Sequence, residues 1–156
     1  MAAREHILMK RIALLLSALL LLAACGRQET AEPIESTPPT EETEMLLRIG
    51  GTEVPVTWES NESVQALHAL APLTIRMSMY GGFEQVGSIG SSLPRNDRQT
   101  STAPGDLVLY SGNQLVVFYG TNSWAYTRLG RVDLTKAELT ALLSAHDVTI
   151  TLEAEK

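Results

Sequence analysis

Cysteine occurs once in the 156 residues, and histidine three times. One cysteine excludes an intramolecular disulfide framework and a Cys-rich zinc site, and three histidines leave little for a His-based metal centre. Basic residues are also scarce, 12 Lys and Arg against 18 Asp and Glu, for a formal charge of −6. A nucleic-acid surface needs a basic stripe to neutralise phosphates, so nucleic acid is not an expected partner. No apolar run is long enough to span a bilayer comfortably: Ile12 to Ala24 has 13 residues, roughly 20 Å of helix against the roughly 30 Å of hydrocarbon to be crossed. Neither a Gly-x-Ser-x-Gly elbow nor a phosphate loop ending in Gly-Lys-Ser/Thr is present. The serines and glycines between Gly81 and Ser92 therefore read as loop. Nothing calls for a cofactor or a metal.

Three regions remain. Residues 1–24 open with Arg4, Lys10 and Arg11 and continue into the short apolar run, the form of a secretory signal. Leu22-Ala23-Ala24-Cys25 resembles the bacterial lipobox, in which small residues admit a peptidase and the cysteine thiol takes a diacylglyceryl group. That resemblance implies a mature chain beginning at a lipidated Cys25, its acyl chains (palmitate among them) anchoring it to the bacterial cell membrane or the outer membrane. Two or more chains anchor stably where one binds only marginally. Residues 25–44 carry this cysteine and then six Glu, one Arg and three Pro, with Ile34 the only large apolar side chain after Cys25. Such a segment repels itself and cannot bury a core. As a tether it reaches at most about 60 Å, with a coil span near 25 Å.

Residues 45–156 have the composition of one domain and carry a charge of −3. Met45–Ile49 and Val54–Trp58 flank a Gly-Gly turn. Val64, Leu67 and Leu70 recur at helical spacing within 60–70, ahead of Pro72. Leu73, Ile75, Met77 and Met79 alternate as a half-buried strand, and Tyr80-Gly81-Gly82-Phe83 turns it back into Glu84–Val86. Residues 87–105 read as one long loop, a feature often functional. Leu107–Tyr110 and Leu115–Tyr119 form a hairpin whose near-continuous apolar character predicts cover on both faces. Strand follows in 124–132, a Thr135-x-x-Glu138 capping box opens a second helix, and Val148, Ile150 and Leu152 alternate in a last strand. About eight short strands with two flanking helices favour a sheet closed on itself, a mainly β barrel.

Leu73-Thr74-Ile75-Arg76-Met77, Pro104-Gly105-Asp106-Leu107-Val108-Leu109-Tyr110 and Tyr126-Thr127-Arg128-Leu129-Gly130-Arg131 follow one another as in the cyclophilin-like β-barrel. In that order, residues 45–156 resemble the small bacterial cyclophilin-like domain often found in lipoproteins. The resemblance implies the closed barrel, and it raises the activity of the prolyl isomerases, which use an arginine beside an apolar pocket. The nearest stretch here, Arg76 to Phe83, puts Arg76 and Met77 on opposite strand faces, so no residue takes the catalytic arginine's place.

Candidate ligand-binding residues are Met77, Glu84, Tyr110, Tyr119, Trp124, Tyr126 and Arg128. Trp124, Tyr126 and Arg128 share strand parity, and rings beside a guanidinium suit a peptide or a planar ligand. The same rings would equally serve to cover the core. Glu84 is within pairing range of Arg128 on either reading, and Asp106 is expected to cap its Pro-Gly turn. The reading is a lipid-anchored extracytoplasmic module that binds a peptide, protein or small ligand, the alternative being a divergent prolyl isomerase acting on exported proteins.

Overall fold

Pro55 and Met77 are the two single-residue corners at which the chain passes from the first sheet to the second in the computed structural model, which describes residues 45–154; on both occasions a helix-containing segment carries it back. The leader, Cys25 and the acidic tether lie outside the described residues. Strand β1 (Met45–Ile49) turns at Gly50-Gly51 into β2 (Thr52–Val54), with Leu47 opposite Val54. Pro55 has no N–H to continue the ladder, and β3 (Val56–Trp58) starts afresh against another partner. What reads as one strand over Val54–Trp58 is thus two. Asn61 caps α1 (Glu62–His68), its side chain accepting from the Val64 N–H at 3.0 Å. Strand β4 (Leu73–Arg76) ends at Met77, whose N–H donates to Val148 O at 2.8 Å, and β5 (Ser78–Tyr80) continues in the other sheet. The alternation from Leu73 to Met79 likewise covers two strands.

The remaining strands are β6 (Glu84–Ser88), β7 (Arg98–Ser101), β8 (Asp106–Tyr110), β9 (Gln114–Phe118), β10 (Ser123–Val132) and β11 (Thr149–Ala154). Helix α2 (Lys136–Leu143) precedes β11 and opens with the full Thr135–Glu138 capping box. The first sheet runs β2-β1-β11-β4, and the second β3-β10-β8-β9-β6-β5, with β7 also paired to β10. The structure corrects the closed barrel of about eight strands: among the described residues eleven strands form two open sheets. The first ladder stops where Pro55 lacks a donor, and the β4–β11 ladder makes its last bond from the Met77 N–H to Val148 O before β5 pairs with β6. The chain alone crosses between the sheets at these corners.

Both sheets bury side chains in one cluster, including Leu47, Ile75, Met77, Leu107, Leu115, Leu129 and Ile150, with Leu67 of α1 and Leu139 and Leu143 of α2. Each such side chain contributes about 1.5–3 kcal/mol when withdrawn from water. Alternate residues of the β8–β9 hairpin point the other way, where Val108, Val116 and Phe118 form a second cluster with Tyr126. The hairpin is covered on both faces, as its continuous apolar runs predict.

Residues 87–105 contain more order than their composition suggests. β6 extends to Ser88, and β7 pairs Arg98 with Tyr126 and Thr100 with Trp124. Between them, Ser63 Oγ donates to Pro94 O at 2.7 Å, and Thr127 Oγ1 donates to Asp97 Oδ1 at 2.6 Å. Gln85 faces inward, its Nε2 donating to Leu143 O at 2.7 Å and His146 O at 2.9 Å, which ties β6 to the end of α2. Among the described residues no helix is long and apolar enough to cross a membrane.

Candidate functional site

The outward face of the second sheet is built by strand parity. Glu84 and Val86 of β6, Gln114 and Val116 of β9, Tyr110 of β8, and Trp124 and Tyr126 of β10 stand on it. Tyr80 joins from β5, where it pairs with Glu84 across the Gly81-Gly82 turn. Together with Asn122 these side chains enclose a cleft of about 440 Å³.

Its rings are ordered from inside to outside. Phe118 stacks on Phe83 at 6.5 Å between centroids, and Tyr126 meets Phe118 edge-on at 5.8 Å. Tyr110 in turn packs edge-on to Tyr126 at 6.0 Å. Such pairs hold aromatic rings in place beyond simple burial. Asn122 fixes the outer end of Tyr126 by donating from Nδ2 to its hydroxyl at 3.0 Å. Tyr80 and Trp124, 66% and 59% exposed, form the rim. Exposed large rings at a cleft mouth are the side chains that most often anchor a partner.

Glu84 lies at the floor, only 7% exposed, and its Oε2 is buried without a hydrogen-bond partner among the described residues. Burial pushes its pKa up, because the ionised carboxylate is poorly solvated. Burial also raises Tyr119 and Tyr126, and the Glu84 charge adds to the rise in both. The cleft thus combines apolar walls, hydroxyls and one carboxyl. His68 and His146 do not line it, and among the described residues no serine does. Among the described residues no cluster of three His, Cys, Asp or Glu side chains could hold a metal ion.

Four of the expected residues therefore meet: Glu84, Tyr110, Trp124 and Tyr126. Met77, 1% exposed, sits in the inner core, where its parity sends it. Tyr119 is buried in the same cluster, its hydroxyl without a hydrogen-bond partner among the described residues. Arg128 stands on the outward face but lines a second groove of about 510 Å³, which Tyr126 separates from the first and which also contains Arg95 and Arg98. Arg128 pairs with Asp106 at 3.2 Å and Glu59 at 3.3 Å, not with Glu84. Asp106 does cap its turn, accepting from the Ala103 N–H at 2.9 Å. Sequence reasoning missed Tyr80, Val86, Gln114, Val116 and Asn122. Tyr80 was within its range, since a turn that pairs it with Glu84 puts both on one face.

The model of the cyclophilin-like family covers residues 47–153, and the chain belongs to that family. Among solved structures, the hypothetical protein AF2241 from Archaeoglobus fulgidus superposes with a TM-score of 0.54 at 15% identity, over 71% of this chain and 93% of that one. McbB, solved in complex with tryptophan, gives a TM-score of 0.51 at 13% identity, over 72% of this chain and 45% of that one. At such identities the likeness is one of fold. No protein of curated function matches the chain.

Proposed function

We propose that this chain is a lipid-anchored extracytoplasmic binding module, whose cyclophilin-like domain takes a peptide or small ligand in the aromatic cleft without chemistry. The observation that carries the reading is the cleft itself, where exposed Tyr80 and Trp124 surround the Glu84 carboxyl, whose buried Oε2 has no hydrogen-bond partner among the described residues. A preformed apolar concavity with a few convergent polar groups is the usual form of a small-ligand site. The absence of chemistry is supported by the lining, which offers no nucleophile paired with a base. It is supported also by Arg76 and Met77, one exposed and one in the core, which cannot share an isomerase-type pocket. The anchor rests on the Leu22-Ala23-Ala24-Cys25 motif and the basic, apolar segment before it. On this reading the acidic tether spaces the domain from the membrane surface.

The test is a ligand screen of isotopically labelled protein by NMR, with short peptides and amino acids, tryptophan included. A binder that shifts the Trp124 indole and the Glu84 and Tyr110 amides supports the reading; binders that map only elsewhere overturn it. Exchange spectroscopy on a proline peptide examines the alternative, and acceleration lost in Trp124→Ala would make the cleft an isomerase site. Mass spectrometry of the native protein is expected to find lipid on Cys25, and a free thiol there would remove the anchor.

A further inference from the structure

Among the described residues, the cleft has one charged lining group, the Glu84 carboxyl, and no basic side chain. Arg128, on the same face of β10, is held by Asp106 and Glu59 and lines the neighbouring groove. Glu84 makes no ion pair among the described residues, and its buried Oε2 has no donor. A buried carboxylate without a partner is costly, and native structures rarely leave one so. Around it stand Tyr80, Tyr110, Trp124 and Tyr126, side chains whose π-faces carry negative charge density.

A carboxylate beneath several electron-rich rings is complementary to one class of ligand. We propose that the cleft binds a small organic ammonium ion, its charge set against Glu84 and its carbon groups packed among Tyr80, Tyr110, Trp124 and Tyr126. This deepens the ligand-binding reading above and rests on it. An anion would meet Glu84 and the ring faces with the same sign of charge. A neutral apolar ligand would leave the buried Oε2 unpaired. An ammonium ion instead supplies the missing counter-charge, and ring faces attract cations most strongly where water is excluded.

The proposal carries a pH signature. Glu84 shares the cleft with Tyr80 on β5, Tyr110 on β8 and Tyr126 on β10, and its charge also reaches Tyr119 in the inner core; burial moves Tyr119 and Tyr126 further from neutrality. Glu84 is the carboxyl of the cleft, and burial makes it take up its proton at a higher pH than an exposed glutamate would. An ammonium ion selects the carboxylate form, so affinity falls as pH drops through the raised Glu84 pKa.

The experiment is calorimetric titration of the purified full chain with two matched pairs: choline against its uncharged carbon isostere neohexyl alcohol, and phenethylamine against phenethyl alcohol. Each cation is expected to bind once per chain, about tenfold or more tighter than its neutral partner. Glu84→Gln should abolish that preference and its pH dependence, and Trp124→Ala should weaken the cations about fivefold. If each neutral probe binds as tightly as its cation and Trp124→Ala weakens both, the ammonium assignment falls and the ligand-binding reading stands. If no probe binds the folded protein, the ammonium assignment falls, and the NMR screen separately decides the fate of the cleft.

Discussion

Arg128 Nη2 lies 3.2 Å from Asp106 Oδ1, while the other oxygen of the same carboxylate accepts the Ala103 N–H at 2.9 Å. The two partners differ in exposure: the Asp106 side chain is 3% exposed and that of Arg128 40%. Removing the buried partner should therefore cost more. Asp106→Ala is expected to lose about 2–3 kcal/mol, since it deletes a charge-assisted bond and uncaps the turn. Arg128→Ala should lose about 1 kcal/mol or less, because its charge is largely screened by solvent. Urea unfolding of the two variants checks the order, and equal losses would mean that Asp106 acts only through Arg128.

Glu84 should make the domain less stable as the pH rises. Its folded pKa is raised by burial above the ordinary 4.5, so the folded state holds the proton more tightly than the unfolded chain. The stabilisation is full below 4.5 and is lost as the pH climbs through the raised value. Glu84→Gln removes this titration, and at neutral pH the variant should gain stability on the order of 1 kcal/mol. Denaturant curves at a series of pH values should diverge in the variant's favour above the ordinary pKa; parallel curves would refute the account.

Gly87 sits where β6 passes the corner at Met77. A Cβ added there would stand 2.6 Å from Ile75 Cγ2 and 2.7 Å from Arg76 O, and the backbone carbonyl cannot rotate aside. Gly87→Ala is expected to cost about 1–3 kcal/mol, visible as a lowered melting temperature. An unchanged melt would show that the two sheets separate freely at this corner.

Asn61 has two tasks. Its Oδ1 caps α1 through the Val64 N–H, and its Nδ2 donates to Arg128 O at 2.9 Å, fastening the helix to β10. Asn61→Ala should lose about 1–2 kcal/mol and Asn61→Asp about half of that, since aspartate keeps the cap and drops the second bond. Equal losses in the two variants would assign the whole effect to the bond with Arg128.

The sequence makes some elements visible and hides others for identifiable reasons. Periodicity locates the apolar faces of β4 and β11 because Ile75, Ile150 and Leu152 are buried on one side. It does not reveal which sheet a strand joins, and so the run from Leu73 to Met79 reads as one element although its halves pair with β11 and β6. Pro55 was a readable break, whereas Met77 carries no such mark. β7 leaves no hydrophobic trace at all, because Arg98–Ser101 is exposed over most of its length and held by backbone pairing to β10.

For the site, strand parity was enough to group Trp124, Tyr126 and Arg128 on one face. A face is not yet a cleft. The wall that assigns Arg128 to a different groove comes from Tyr126 itself, and the ion partners Asp106 and Glu59 lie 22 and 69 residues away in sequence. No local pattern encodes such pairings. Met77, a candidate on the sequence, shares its parity with Ile75 and so points into the core.

Glu84 and Gln85 are adjacent in the chain and serve opposite sides of the sheet, one at the cleft floor and one at the end of α2. The length of the Tyr80–Glu84 turn determines which side each residue faces. One residue added to that turn would send a carboxylate against the helix carbonyls and an amide into the cleft. The binding surface and the helix anchorage therefore cannot drift independently: an insertion too small to disturb the strand count would cost both together.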